Sequence, residues 1–222
     1  SIDYEKVHAR VVEFKERMDK ADSVRIKLLT DGRTYESVYD LRFRPAHASG
    51  GLMREPGVVA NLPSGEAYIT PYEGERKNEP SRTSGLLPVQ FEDEVVIYRI
   101  ENNRAIDILT SGSWSENEKA KLKEEPAYGN IAEVGIGVLG EWGVKAVGST
   151  LLDEKLGLHI AFGRSEHFGG VTSPSSFNNP KNVIHIDRVY VPSVQPKISV
   201  EEVTFVYPDS EETVMTNGKY VV

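Results

Sequence analysis

The chain has 222 residues, 39% hydrophobic and 27% charged, the balance of a soluble globular protein with material for one large domain or two small ones. Its net charge of −8 argues against nucleic acid as a partner, because phosphate recognition needs a basic surface. The lack of cysteine excludes disulfides, thiolate metal sites and cysteine nucleophiles, and fits a cytoplasmic location; no apolar run suggests a membrane span, and the charged first residues are no secretory signal.

Tyr4, Val7, Val11, Phe14 and Met18 recur at spacings of three and four, which predicts an amphipathic helix over 3–20. Strands are then expected at 23–30 and 35–43, joined by a hairpin turn at Asp31-Gly32-Arg33. Segment 57–61 leads through Asn61-Leu62-Pro63-Ser64-Gly65 to a strand at 66–70, and the polar stretch 71–85 reads as a surface loop. Strands follow at 86–91, 94–100 and 104–109. Ser115 and Glu118 have capping-box spacing, which predicts a helix opening there and running to about Glu125. Further strands are expected at 130–138, 157–162 and 183–191, with a Gly-, Ser- and Asn-rich loop at 163–182. The tail from 199 reads as three strands with turns at Pro208-Asp209 and Asn217-Gly218. The expected architecture is α+β, a single β-rich domain over 1–222 with a helix at its start.

Three segments can carry chemistry. In His185-Ile186-Asp187, residues two apart on a strand face one side, so an imidazole and a carboxylate point together, as metal ligands or as an ordinary hydrogen-bonded pair. His159 sits mid-strand between Leu158 and Ile160, where burial demands partners for its nitrogens; a satisfied core histidine is the alternative. Three of the five histidines fall between 159 and 185, which favours a site. Glu133 shares a strand face with Gly135 and Gly137, leaving room above the carboxylate for an ion. Glu66 follows the turn Pro63-Ser64-Gly65 and is the weakest of these signals.

Asn61-Leu62-Pro63-Ser64-Gly65-Glu66, Ala132-Glu133-Val134-Gly135-Ile136-Gly137, Leu152-Asp153-Glu154-Lys155, His159-Ile160-Ala161-Phe162-Gly163-Arg164 and His185-Ile186-Asp187 come in an order that resembles the thermophilic metalloaminopeptidases of the aminopeptidase T and S type. From about residue 20 onward the chain looks like the C-terminal metal-binding portion of that family. The resemblance implies a pair of divalent ions (zinc, cobalt, manganese or magnesium) held by Glu66, Glu133, His159, His185 and Asp187, acting on peptides with a free N-terminus. The expected partners are therefore peptides, with no membrane and with a homo-oligomer, such as a dimer, left open. Where the family carries a Tyr ligand, this chain has Glu166, expected as a sixth ligand or a general base; Glu66 and Glu166 are therefore the catalytic candidates, with Arg164 and Lys155 as neighbours. Family members are nearly twice as long, with an N-terminal domain that helps enclose the site, and we expect that domain to be missing here.

Two rivals stand beside this reading. A mononuclear iron dioxygenase would use His159, His185 and Asp187 as a two-histidine, one-carboxylate triad, leaving Glu66 and Glu133 without a role. A binding or assembly domain of the same fold, without catalysis, would hold no metal.

Overall fold

The computed structural model describes residues 2–52 and 64–222; segment 57–61 and Asn61-Leu62-Pro63 of the expected turn lie outside them. Helix α1 (Tyr4–Lys20) forms where its apolar residues make one stripe, with Val7, Val11, Phe14 and Met18 all buried. Asp3 caps it, accepting from the amides of Glu5 and Lys6 at 3.2 and 3.4 Å.

Strands dominate thereafter. In chain order they are β1 (Ser23–Thr30), β2 (Arg33–Asp40), β3 (His47–Ser49), β4 (Glu66–Ile69), β5 (Ser84–Phe91), β6 (Glu94–Glu101) and β7 (Arg104–Ile108). After α2 (Ser113–Glu124) come β8 (Ile131–Gly137), the short α3 (Thr150–Asp153), β9 (Leu158–Gly163) and β10 (His185–Val189). The chain closes with β11 (Ser199–Val206), β12 (Glu211–Thr216) and β13 (Lys219–Tyr220). Among the described residues these thirteen strands form two antiparallel sheets. One has the order β13-β12-β11-β1-β2-β5-β6-β7 and the other β10-β9-β8-β4-β3. The expected single β-rich domain with an N-terminal helix is the architecture observed.

Among the boundaries that differ from the sequence reading, two have identifiable reasons. Asp31 and Gly32 both take positive φ (50° and 71°), so the turn has two residues and β2 begins at Arg33, paired with Thr30. Helix α2 starts before Ser115, and no capping box forms. Its first amides are capped from another element: Glu94 of β6 accepts from the amides of Trp114 (3.0 Å) and Ser115 (2.7 Å). Glu118 is fully buried instead, accepting from the hydroxyls of Tyr98 (2.6 Å) and Tyr128 (2.5 Å).

The five-stranded sheet positions the candidate ligands. One face sends Ile69, Val134, Ile136, Leu158, Ile160 and Phe162 into the hydrophobic core. The alternate residues, Glu66, Glu133, His159, His185 and Asp187, therefore share the other face. Among the described residues, no helix is long and apolar enough to cross a membrane.

Candidate metal centre

Register sets the spacing of the ligands. Glu66 lies opposite Gly137, Gly135 opposite His159, and Ala161 opposite both Glu133 and Asp187. Each candidate ligand thus has a small residue beside it on the neighbouring strand, so these side chains lean together instead of being walled apart. The sequence reading left open space above Gly135 and Gly137, and the structure fills it. A Cβ on Gly135 would overlap the imidazole of His159, and one on Gly137 would overlap the backbone of Glu154 and Lys155. The glycines make room for a ligand ring and for the turn that carries Lys155.

Two groups of ligand atoms converge: Glu66, Glu133 and His159, and Glu133, His185 and Asp187. Within each, the atoms lie within 4.8 Å of one another, and Glu133 belongs to both. Its Oε1 lies 3.1 Å from His159 Nε2 and its Oε2 3.2 Å from His185 Nε2. Glu66 Oε2 is 3.4 Å from His159 Nε2, and Asp187 Oδ1 is 3.8 Å from His185 Nε2. Glu66 Oε2, His185 Nε2 and Asp187 Oδ1 are buried without a hydrogen-bond partner.

The far side of each imidazole fixes its protonation. His159 Nδ1 lies 3.2 Å from the carbonyl of Gly157, and His185 Nδ1 lies 2.8 Å from the carbonyl of Arg164. A carbonyl can only accept, so both Nδ1 atoms are N–H donors. In a neutral ring each Nε2 would then aim a lone pair at carboxylate oxygens, which is repulsive. A cation must sit between them, either a proton on Nε2 or a metal ion. Burial disfavours an imidazolium, but the carboxylates outweigh it. Glu133 with Glu66 and Asp187 raises His159 to about 10, and Asp187 with Glu133 raises His185 to about 10. Burial likewise pushes Asp187 upward, yet His185 and His159 hold it down at about 2. Glu133 is lowered too, its burial outweighed by the two histidines that face it.

Lys155 is buried and pairs with both Glu66 and Glu154. Glu66 is pushed up by burial despite His159 and Lys155, and Glu154 is pushed up to about 7 by burial and by the charges of Glu66 and Asp187. A cavity of about 460 Å³ opens over the groups, its lining including Tyr68, Glu154, Phe168 and His8 of α1.

The structure brings five of the six predicted ligands together. Glu166, expected as the sixth, is in neither group. It sits in the turn Glu166–Phe168, where Arg164 Nε donates to its carboxylate at 2.9 and 2.6 Å and His167 Nδ1 lies 3.5 Å away. That guanidinium holds it at about 2. Tyr68 escaped the sequence reading, although it lies two residues beyond Glu66 on the same strand face. Burial and the charges of Glu133 and Glu66 push its phenol up to about 12. His8 carried no signal beyond its place in an amphipathic helix.

No family model and no curated protein matches the sequence. Among solved structures, the chain is similar to wild-type AmpT from Thermus thermophilus, with a TM-score of 0.63 and 18% identity. That match covers 99% of this chain and 55% of AmpT. It is also similar to 2,5-dihydroxypyridine dioxygenase from Pseudomonas putida KT2440, with a TM-score of 0.64 and 18% identity, covering 100% of this chain and 60% of the other. The likeness is one of fold, and this chain spans little more than half of either neighbour.

Proposed function

We propose that this chain is the catalytic portion of a two-metal aminopeptidase. The observation that carries the reading is the pair of ligand groups sharing Glu133, with both imidazole Nε2 atoms facing carboxylates. A carboxylate between two histidines suits a bridging ligand, and histidines oriented by backbone carbonyls suit metal ligation. Glu66 and His159 would hold one ion, His185 and Asp187 the other, with Glu133 between. Such a pair of ions supplies a polarised scissile carbonyl and an acidified water as nucleophile.

The chain's own residues do the rest. Lys155 holds Glu66 in place and offsets part of the acidic charge. Glu154 lines the same cavity outside both groups, and is the carboxylate available to carry a proton to the leaving amine. A free α-ammonium entering the cavity meets a wall rich in carboxylates, which favours peptides with an unblocked N-terminus. Tyr68 and Phe168 offer an apolar surface to the first side chain.

The fold likeness to the dioxygenase keeps a mononuclear iron centre as the second reading. Against it, no convergent group among the described residues contains His159, His185 and Asp187 together. Elemental analysis with assay on amino-acid p-nitroanilides tests the choice. About two ions per chain and release of p-nitroaniline, both lost in Asp187→Asn, are the expected results. One iron per chain without hydrolysis would favour the oxygenase, and no metal at all would leave a binding domain.

A further inference from the structure

Among the described residues, the sheet that carries the candidate ligands ends at β10, whose outer edge pairs with no strand. The amide of Tyr190 donates to the carbonyl of Leu158 and that of Arg164 to the carbonyl of Ile184, each at 2.8 Å. Residues 184, 186, 188 and 190 therefore direct their main chain at β9, and His185, Asp187 and Val189 direct theirs outward. Among the described residues, one of these outward groups is bonded: the Val189 carbonyl accepts from Gln195 Nε2 at 2.8 Å. Among the described residues, the main-chain groups of His185 and Asp187 and the amide of Val189 have no hydrogen-bond partner.

A groove of about 420 Å³ runs along this edge. Its lining combines Asp187 and Val189 of β10 with residues of segment 146–153 and with Ser193 and Gln195. Segment 146–153 is tied together by Asp153, which accepts from the amides of Val147 (2.8 Å) and Gly148 (3.0 Å). Asp187 lines both this groove and the metal cavity, so the two lie side by side.

We infer that the free edge of β10 binds the main chain of an extended peptide as an added strand, with its N-terminus at the metal centre and its tail in the groove. The inference rests on the aminopeptidase reading for the direction of the peptide. An N-terminus beside Asp187 and a tail beyond Val189 make it parallel to β10. In a parallel pair one substrate residue donates its N–H to the His185 carbonyl and accepts from the Asp187 amide. The residue two further on does the same with the Asp187 carbonyl and the Val189 amide. The residue between them points its main chain to solvent. Because Gln195 already occupies the next carbonyl, the edge serves about three residues, at roughly 3.3 Å each.

An N-methyl scan reads this pairing directly, since a methyl on nitrogen removes one donor and leaves the side chain intact. The probe is a pentapeptide with a C-terminal fluorophore and its first peptide bond reduced to a methyleneamine, so that it binds without being cut. Anisotropy on the metal-loaded full chain measures affinity, and kcat/KM for the cleavable parents is measured alongside. Methylation at alternate nitrogens should weaken binding about tenfold, with little effect at those between, and kcat/KM should rise with length and level off after about four residues. A flat or non-alternating scan overturns the edge pairing. If amino-acid p-nitroanilides, which have no tail, are still cleaved, the peptidase reading survives that failure. An alternating scan with no hydrolysis of any substrate keeps the edge pairing and removes the peptidase reading. A dimer that buries β10 against a second copy, seen as peptide binding lost with rising protein concentration, also overturns it.

Discussion

Filling the site with metal must drive protons out of it, and the number can be counted. In the metal-free protein His159 and His185 each titrate near 10, so at neutral pH both Nε2 atoms carry a proton. Those nitrogens face Glu133, Glu66 and Asp187, where ions would bind, so loading has to release both protons. Lys155, raised by its two carboxylate partners, keeps its proton and contributes nothing. The overall affinity should therefore rise about a hundredfold per pH unit between pH 8 and 9 and level off above 10, two protons each giving a factor of about ten. At lower pH, where the candidate ligand Glu66, pushed up by burial, also takes a proton, the slope should steepen. Isothermal titration calorimetry with Zn²⁺ in buffers of different ionisation enthalpy gives the proton count at each pH. Release of less than one proton, or an affinity flat from pH 7 to 9, would refute the claim that the metal and the Nε2 protons compete for the same lone pairs.

The same histidines should make the metal-free protein sensitive to alkali. Their folded pKa values lie above the ordinary 6.5, so the stability they contribute is complete below that value and is lost as pH rises through 10. Thermal melts of the metal-free chain should fall between pH 7 and 10, and a rise over that range would contradict the assignment. Gly135→Ala should push the His159 ring off Glu133 and cost about 1–3 kcal/mol of stability by overpacking, with weaker metal binding, read by denaturant melts and elemental analysis. Glu166→Gln should leave metal content unchanged, because the Glu166 carboxylate is engaged by Arg164; loss of an ion would instead make Glu166 a ligand.

Periodicity alone made much of this protein legible. The stripe of Val7, Val11, Phe14 and Met18 specified α1, and alternation specified β1 to within the residue. The same rule put His185 beside Asp187, and Glu133 on a face with two glycines, because the side a residue takes on a strand depends only on its own chain. Which strands meet, and in what register, depends on contacts far apart in sequence. Glu66 reaches the centre because β4 pairs with β8, setting it against Gly137, and His159 because β9 brings its ring over Gly135. The opening of α2 was misread because its cap comes from Glu94 on another strand. Glu166 looked available as an anion until the fold turned Arg164 onto it. A sequence sets the side each residue faces and the charge it brings; pairing between distant segments decides which charges converge, and so whether a carboxylate meets a histidine, a guanidinium or an ion.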